Sequence, residues 1–329
     1  MRQLLLSLPL LLWGALACAA PFQLYADGEE TMLSRLARAF EAREPGIEVE
    51  LRIMRAPLLA RAVTSVRATG QSPDLVISGA TDWQVKLVND GFALTHRSEA
   101  TMALPDWAQW RGELFGLTRE ESVIALSAQF LAEHPPPRSR SALLQLLESA
   151  PDKFRRRAHT VHVGLDGTAY AFATFESLSS PVYWRLIQAI GTTHVRPSPS
   201  YTELLRRMDR EGGLVGWSLA RSQSVIDLAR ELEITLSEPE DFRITQLRTA
   251  LIPKSARQAE AARRFLDFLL SSEGQTLIGE TALLAPSAGT SPAEKPEALV
   301  PLGPESLVFL DEMKRVRFLD NWLDLLLDR

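Results

Sequence analysis

The chain has a single cysteine, Cys18, among its 329 residues. That cysteine lies in an N-terminal segment with the pattern of a secretory signal. Arg2 supplies the positive charge, residues 4–12 supply an apolar stretch, and residues 17–19 supply an A-x-A cleavage site. Cleavage would leave a mature chain without a thiol. We therefore expect export to the oxidising periplasm, and we exclude a disulfide framework and thiolate chemistry.

The apolar stretch at the N-terminus is short. Residues 4–12 fall below the roughly 20 residues that a membrane-spanning helix needs, so residues 1–19 indicate a signal peptide and not a spanning anchor. A lipid anchor stays open as the alternative, because residues 15–18 loosely resemble a lipobox, in which Cys18 would be lipidated and retained. Both interpretations predict an exported protein.

Positive charge is scarce as well. Lysine and arginine total 36 against 41 aspartates and glutamates, which gives a formal net charge of -5. The arginine run at residues 155–157 is too short to make a basic face and is typical of a solvated helix end. We therefore expect no nucleic acid partner.

Motifs of catalysis are missing too. The sequence contains no nucleophile elbow, no phosphate-binding loop and no zinc-ligand helix. His159 and His162 would face opposite sides of a strand, so they do not form a metal pair. We expect a monomeric binding protein and not an enzyme, with no catalytic residues, metal or cofactor.

What the sequence does contain is an alternation of strand and helix patterns. Hydrophobic residues make up 46% of the chain, enough for a large core, and the length suggests two lobes. Strand patterns at residues 22–26, 47–54 and 74–79 alternate with helix patterns, and a second such unit begins at residues 160–165. This order predicts an α/β protein with two Rossmann-like lobes.

Two extended patterns, at residues 114–127 and 243–252, predict strands that cross between the lobes as a hinge. The second leads into residues 249–277, where an apolar run stops at Pro253 and a helix pattern begins near Ala259. We expect this segment to be a scaffold that contacts no ligand.

The ends of the predicted strands supply candidate ligand contacts. Ligands of parallel sheets bind beyond the carboxyl ends of the strands, which here are at Asp27 and at Ser78 and Gly79. Asp27 has a competing role, because its spacing from Glu30 fits a capping box of the following helix. Asp27 is therefore a candidate both for ligand contact and for capping of the helix.

The second lobe offers a helix start at residues 166–169, Asp-Gly-Thr-Ala. Free backbone N–H groups and the helix dipole favour an anion there, and Gly167 would allow its close approach. Thr168 is the better ligand candidate, since Asp166 would repel an anion. The alternative is that Asp166 or Thr168 only caps the helix.

Further candidates are aromatic, hydroxylic or charged. Tyr170 and Trp217 would stack on a ligand or hydrogen-bond to it, with core packing as the alternative, and Ser218 follows at the same strand end. Arg119 is the candidate for pairing with a carboxylate or phosphate, unless a neighbouring glutamate occupies it in a hinge ion pair.

Several segments together resemble a known family. They are LYADGEETMLSRLARAFEAREPGIEVELR, SPDLVISGATDWQVKLVNDG, FGLTREESVI and residues 249–277. These are similar to family 1 extracellular solute-binding proteins, in the iron-type branch of the type II periplasmic binding fold. The segments TALIPKSA and LVFLDEMKRVRFLDNW are similar to the phosphoglycerate transport regulatory group within that branch.

The resemblance implies two lobes that close on a ligand in the cleft between them. The first lobe would comprise residues 20–117 with 248–285, and the second residues 118–247. Residues 286–329 would form a C-terminal connection and a helix that packs on the lobes. We expect the ligand to be a small anion, an organic phosphate or carboxylate, and the membrane partner to be an ABC permease or a sensor kinase.

The chain departs from its relatives at two strand ends. Leu-Ser at residues 126–127 stands where they usually carry Tyr-Asn, and Gly-Trp-Ser at residues 216–218 stands where Gly-Tyr-Asn is usual. Iron(III) binding is the alternative function that the branch implies. Its members commonly present adjacent tyrosines, whereas the four tyrosines of this chain are all separated.

Overall fold

The computed structural model describes residues 20–65, 72–284 and 295–327. The predicted signal segment and Cys18 lie outside the described residues. Across the described ranges, no helix combines the length and the apolar character needed to cross a bilayer.

Strands and helices follow one another largely as the hydrophobic patterns predict. The strands are β1 Phe22–Ala26, β2 Val49–Ile53, β3 Leu75–Ser78, β4 Gln109–Trp110, β5 Leu114–Leu126, β6 Ala158–Thr160, β7 Val215–Ala220, β8 Thr235–Ser237, β9 Ile244–Leu251 and β10 Ala298–Leu299. The helices are α1 Glu30–Arg43, α2 Ala56–Thr64, α3 Thr81–Asn89, α4 Glu99–Met102, α5 Ala128–Glu133, α6 Arg140–Ser149, α7 Gly167–Ser179, α8 Tyr183–Thr192, α9 Tyr201–Glu211, α10 Gln223–Glu231, α11 Ala259–Leu270, α12 Ser272–Ile278 and α13 Glu312–Leu327. Short 3₁₀ helices lie at Asp106–Ala108 and Pro304–Leu310.

The strands form a mixed sheet in the order β2-β1-β3-β9-β5-β7-β6. At one end β1 pairs parallel with β2 and β3, and at the other end β6 pairs parallel with β7. The long strand β5 joins the two ends, because it pairs antiparallel with β9 over residues 115–121 and with β7 over residues 122–126. Two α/β lobes are therefore joined by crossing strands, as the sequence predicts.

Each lobe has its own hydrophobic core. In the first lobe, Phe265 of α11 packs against Phe22 of β1 and Phe40 of α1, with 4.4 Å between the ring centres of Phe40 and Phe265. The apolar face of α11 is therefore buried, as expected of a scaffold helix. In the second lobe, Phe318 and Trp322 of α13 pack into the core.

The first strand of the second lobe differs from its prediction. The pattern at residues 160–165 predicts a strand, whereas β6 ends at Thr160 and the next residues run as a loop into α7. Val161 and Val163 in that loop are nevertheless buried in the second core. The alternation of apolar residues at 160–165 therefore reflects burial in the core. A short apolar pattern does not distinguish a buried loop from a buried strand.

Candidate functional site

A cavity of about 540 Å³ lies between the two lobes. The first turn of α1 lines it from the first lobe, and the first turns of α9 and α10 line it from the second. Four further residues form what we call its inner end: Glu120 of β5, Arg248 of β9, and Asp166 and Thr168 at the start of α7. The starts of four helices and both crossing strands therefore face one space.

Arg248 is the centre of a buried ion network at this inner end. Its Nε donates to Glu120 Oε1 at 3.0 Å, and its Nη1 donates to Asp27 Oδ1 at 2.8 Å. Thr118 Oγ1 also donates to Glu120 Oε1, at 3.1 Å, and Glu120 Oε2 has no hydrogen-bond partner among the described residues. The strand register explains the grouping, because Thr118 pairs with Arg248 and Glu120 with Gln246, which places these side chains on one face.

Asp27, Ser78 and Gly79 are brought together beyond the ends of β1 and β3, but none of the three is among the residues that line the cavity. The Asp27 carboxylate accepts hydrogen bonds from the Ser78 hydroxyl and from the Gly79 N–H, the latter at 2.9 Å. The predicted capping role of Asp27 is wrong, because the N-cap of α1 is Glu29 and no side chain caps that helix. Gly28 and Glu29 both have a positive φ, of 60° and 55°, and this turn moves Asp27 away from the helix start.

Glu29 crosses the cavity to the second lobe. Its Oε1 accepts from the Ser224 hydroxyl at 2.6 Å, and its Oε2 accepts from the Ser224 N–H at 3.3 Å, in the first turn of α10. A second bridge between the lobes lies nearby, where Glu280 pairs with Arg221 at 3.0 Å and with Arg230. Residue spacing along the chain contains no signal for these contacts.

The start of α7 is a contact between the lobes. Asp166 caps the helix by accepting from the Ala169 N–H at 2.9 Å, which is the capping alternative that the sequence left open. A Cβ on Gly167 would lie 2.4 Å from the Cβ of Ala80, and a Cβ on Gly79 would lie 2.3 Å from Thr168 Oγ1. The two glycines therefore allow the two lobes to approach each other closely at this contact.

Negative charge is crowded at the inner end. Burial raises the pKa of Asp166 to about 6; the Asp27 and Glu120 carboxylates add to this rise, while the Ala169 N–H and Arg248 oppose it. Burial also raises the pKa of Glu120 against the lowering effect of Arg248. Both carboxyl groups therefore lie where ionisation is disfavoured unless a positive partner is present.

Arg119 does not join this site. It precedes Glu120 on β5, and because successive side chains of a strand point to opposite faces, it lies on the other face of the hinge. Its side chain is 44% exposed and lies 3.7 Å from Glu121, the hinge ion pair that the sequence offered as the alternative. Arg248 was missed, although it is the one charged residue in β9, ITQLRTAL, and a lone arginine in a buried strand is a usable signal.

The aromatic candidates also lie outside this cavity. Tyr170 donates its hydroxyl to the Phe309 carbonyl at 2.8 Å, and its ring lies 4.0 Å from the Arg315 guanidinium, beside a second cavity of about 280 Å³. Trp217 is buried in the second core, and Ser218 Oγ lies 3.3 Å from Ser122 Oγ. Core packing, the alternative left open for Tyr170 and Trp217, is what these contacts show.

In the described part of the chain, no cluster of three or more histidine, cysteine, aspartate or glutamate residues is placed to hold a metal ion.

Comparison with known proteins identifies the class. The chain belongs to the bacterial extracellular solute-binding protein family, whose profile matches residues 22–281. The sequence matches none of the curated proteins with which it was compared.

Solved structures share the architecture. The substrate-binding protein of an ABC transporter from Agrobacterium tumefaciens is 25% identical, with a TM-score of 0.84 over 94% of this chain and 95% of that one. The periplasmic binding protein AfuA from Actinobacillus pleuropneumoniae, with fructose-6-phosphate bound, is 18% identical, with a TM-score of 0.71 over 93% of this chain and 98% of that one. Iron-bound HitA from Pseudomonas aeruginosa is 18% identical, with a TM-score of 0.67 over 93% of this chain and 99% of that one. The predicted type II periplasmic binding fold is confirmed.

Proposed function

We propose that this protein is the periplasmic receptor of an ABC importer, and that it captures a small polar solute in the cavity between its lobes. The observation that carries the proposal is the cavity of about 540 Å³, which is lined by both lobes and by both crossing strands. A solute held there touches the hinge and the two lobes together. It therefore stabilises the arrangement in which the lobes meet, and a permease can recognise that arrangement.

The lobe boundaries belong to the same proposal. We assign residues 20–117 with 248–285 to the first lobe and residues 118–247 to the second. The bridges of Glu29 to Ser224 and of Glu280 to Arg221 then become contacts that break when the lobes part. The pair of Glu280 with Arg221 is exposed and therefore weak, so solute binding can decide the equilibrium.

We propose that the solute carries an acidic group, a carboxylate or a phosphate. Arg35 and Arg206 support this, because both line the cavity, both are exposed, and neither forms an ion pair with another described residue. The Arg35 guanidinium donates to the Leu277 carbonyl, which holds it in place. One arginine from each lobe is thus available to an oxyanion.

A sensor kinase is the second candidate partner, in line with the resemblance of the C-terminal segments to the phosphoglycerate transport regulatory group. Iron(III) is the second candidate ligand. It is supported only by the fold, which this chain shares with iron-bound HitA. Whichever of these partners and ligands applies, we propose a monomeric protein that acts by binding and not by catalysis.

A thermal-shift screen of organic phosphates, carboxylates and ferric iron tests the proposal. A solute that binds only the folded protein raises its stability by about 2.7 kcal/mol at a concentration a hundredfold above Kd. The Arg206→Gln variant should lose the shift caused by an acidic solute. Arg210→Gln is the matched control, since Arg210 lies on the same helix and pairs with Glu203 at 2.8 Å. Stabilisation by ferric iron alone would favour the iron-binding alternative, and stabilisation by no solute would remove the receptor role.

A further inference from the structure

One guanidinium nitrogen at the inner end of the cavity is not used by the protein. Arg248 donates from Nε to Glu120 Oε1 at 3.0 Å, and from Nη1 to the carboxylate and the carbonyl of Asp27 at 2.8 Å and 2.6 Å. Its Nη2 donates to no other described residue. A guanidinium carries five N–H groups, so two donors of Arg248 are available to a ligand.

This nitrogen is also accessible, although most of the Arg248 side chain is buried. Arg140 Nη2, in the core of the second lobe, likewise lacks a hydrogen-bond partner among the described residues, but that atom is sealed from solvent, whereas Arg248 Nη2 keeps accessible surface. The Arg248 side chain as a whole is 6% exposed, and it lines the cavity. The part of Arg248 that a solute can reach is therefore the donor that the protein leaves free.

Two glycines keep the space around Arg248 Nη2 open. A Cβ on Gly79 would lie 3.3 Å from this nitrogen, and a Cβ on Gly28 would lie 3.9 Å from it. Gly28 and Arg248 both line the cavity. The lack of a side chain at these two positions leaves Nη2 uncovered.

The charge around Arg248 favours an uncharged acceptor. Asp27 and Glu120 already share its single positive charge. The carboxyl group of Asp166 lies at the same end of the cavity. A carboxylate or phosphate placed against Nη2 would be repelled by these groups, whereas a hydroxyl oxygen would not.

Asp166 supplies an acceptor that complements this donor. Its Oδ1 accepts from the Ala169 N–H at 2.9 Å, while its Oδ2 accepts from no described residue and is not sealed from solvent. Asp166 is half-buried and lines the same cavity as Arg248. Because a hydroxyl group both donates and accepts, a hydroxylated solute can use Arg248 Nη2 and Asp166 Oδ2 together.

We propose that Arg248 determines the specificity of the cavity for hydroxylated solutes. Its Nη2 donates to a hydroxyl oxygen of the solute, and Asp166 Oδ2 accepts from the same or a neighbouring hydroxyl. The proposal rests on the receptor role proposed above and names the solute class. With its acidic group held by Arg35 and Arg206, the solute is a small acid that also carries hydroxyl groups, either a hydroxycarboxylate or the phosphate ester of a polyol.

Matched pairs of solutes test this class directly. The probes are malate against succinate, glycerol 3-phosphate against propyl phosphate, and gluconate against hexanoate. The acidic groups are the same within each pair, and one member carries additional hydroxyl groups. In at least one pair, isothermal titration calorimetry should show affinity at least about tenfold higher for the hydroxylated member, since hydrogen bonds to charged groups are the stronger ones.

The variant Arg248→Lys connects this preference to the inner end. Lysine keeps the positive charge but lacks the planar fork that presents a third nitrogen to the cavity. Affinity for the hydroxylated member should fall at least about tenfold, while affinity for its partner should stay unchanged, a split that a purely structural role would not produce. Arg119→Lys is the matched control, because Arg119 pairs with Glu121 on the other face of the hinge.

The variant Asp166→Asn is the second test, and it decides the matter if Arg248→Lys does not fold. Asparagine still caps α7 through its oxygen, but its amide nitrogen replaces the free acceptor Oδ2 with a donor. The preference for the hydroxylated member should therefore shrink. A preference that is undiminished in Asp166→Asn would contradict the proposed pairing.

The outcomes separate the solute class from the receptor role. Equal affinity for both members of every pair that binds overturns the role of Arg248 but supports the receptor role, because acidic solutes still bind. An undiminished preference in Arg248→Lys, or an equal loss in Arg119→Lys, also overturns the role of Arg248. Binding of no probe, here or in the thermal-shift screen, overturns both proposals.

Discussion

Two buried arginines in this protein have the same kinds of partner, one aspartate and one glutamate each, but different surroundings. Arg248 lies between Glu120 and Asp27 at the inner end of the cavity. Arg140 lies between Glu176 and Asp241 in the second lobe, at 2.6 Å and 2.7 Å. Each is a cation shared by two carboxylates, and a description by partners alone would give them the same role.

Their surroundings assign different roles. The side chains of Arg140 and Glu176 are both 0% exposed, and the Arg140 guanidinium lies 3.7 Å from the centre of the Phe242 ring. Arg248 and Glu120 are nearly as buried but line a cavity large enough for a solute. Glu176 Oε2 and Glu120 Oε2 are both buried and both lack a hydrogen-bond partner among the described residues, so what separates the two networks is the cavity beside Arg248.

Breaking the enclosed network should have the largest effect. Arg140→Met leaves the Glu176 carboxyl without its partner in the core, and we expect a loss of about 3–5 kcal/mol in the free energy of unfolding. Urea unfolding measures it. The double variant Arg140→Met/Glu176→Met should recover most of the loss, and a single variant as stable as the parent would contradict an essential pairing in the core.

Breaking the open network should cost less. Arg248→Met leaves Glu120 and Asp27 facing a cavity that water can enter, so we expect a loss of about 1–3 kcal/mol in the same urea experiment. If Arg248→Met lowered the free energy of unfolding as much as Arg140→Met does, water in the cavity would not compensate for the lost cation. The two networks would then not differ in the way proposed.

The pH dependence of Asp166 should sharpen the comparison further. Its pKa rises from 3.8 in the unfolded chain to about 6 in the fold, so its contribution to stability is full below pH 3.8 and is lost as the pH rises through 6. Because Asp166 is only half-buried, we expect the free energy of unfolding to change by about 1–2 kcal/mol over this pH range. The groups that face it are Asp27, Glu120, Arg248 and the Ala169 N–H.

The variant Asp166→Asn tests this assignment. It should flatten the dependence of stability on pH, as followed by thermal unfolding across this range. An unchanged slope in the variant would remove Asp166 as the titrating group.

The smallest effect is expected at the bridge on the surface between the lobes. Glu280→Gln removes the ion pairs with Arg221 and Arg230, whose side chains are 32% and 64% exposed, so unfolding should change by less than about 1 kcal/mol. Small-angle scattering should instead show a larger average separation of the lobes. Glu238→Gln, which breaks an exposed pair with Arg243, is the control, and an equal expansion in both variants would argue against a bridge.

Local patterns in the sequence were enough to predict the fold and part of the site. The alternation of strands and helices, the crossing strand β5 and the scaffold helix α11 all follow from periodicity over a few residues, which the chain fixes by itself. The grouping of Asp27, Ser78 and Gly79 follows from the rule for parallel strand ends. Thr168, predicted as a ligand contact, does line the cavity, and its contact with a ligand stays a prediction.

The remaining site residues depend on contacts between distant parts of the chain. Asp27 and Arg248 are 221 positions apart, and Arg248 and Glu120 are 128 positions apart. Arg119 was predicted because a guanidinium pairs with a carboxylate or phosphate, but the face on which its side chain lies depends on how β5 is oriented in the sheet, which the local sequence does not specify.

The sequence by itself therefore determined most elements of this protein and their order, because hydrophobic periodicity acts over short distances. Its family was indicated by the resemblance of whole segments to known proteins. The tertiary structure alone decided which charges meet. It placed three internal carboxylates on the backbone amides of the cleft and set Arg248 between Asp27 and Glu120 beside the cavity. The physical reason is that pairing of charges depends on distance in space, and the chain brings these groups together only when both lobes and both crossing strands are in place.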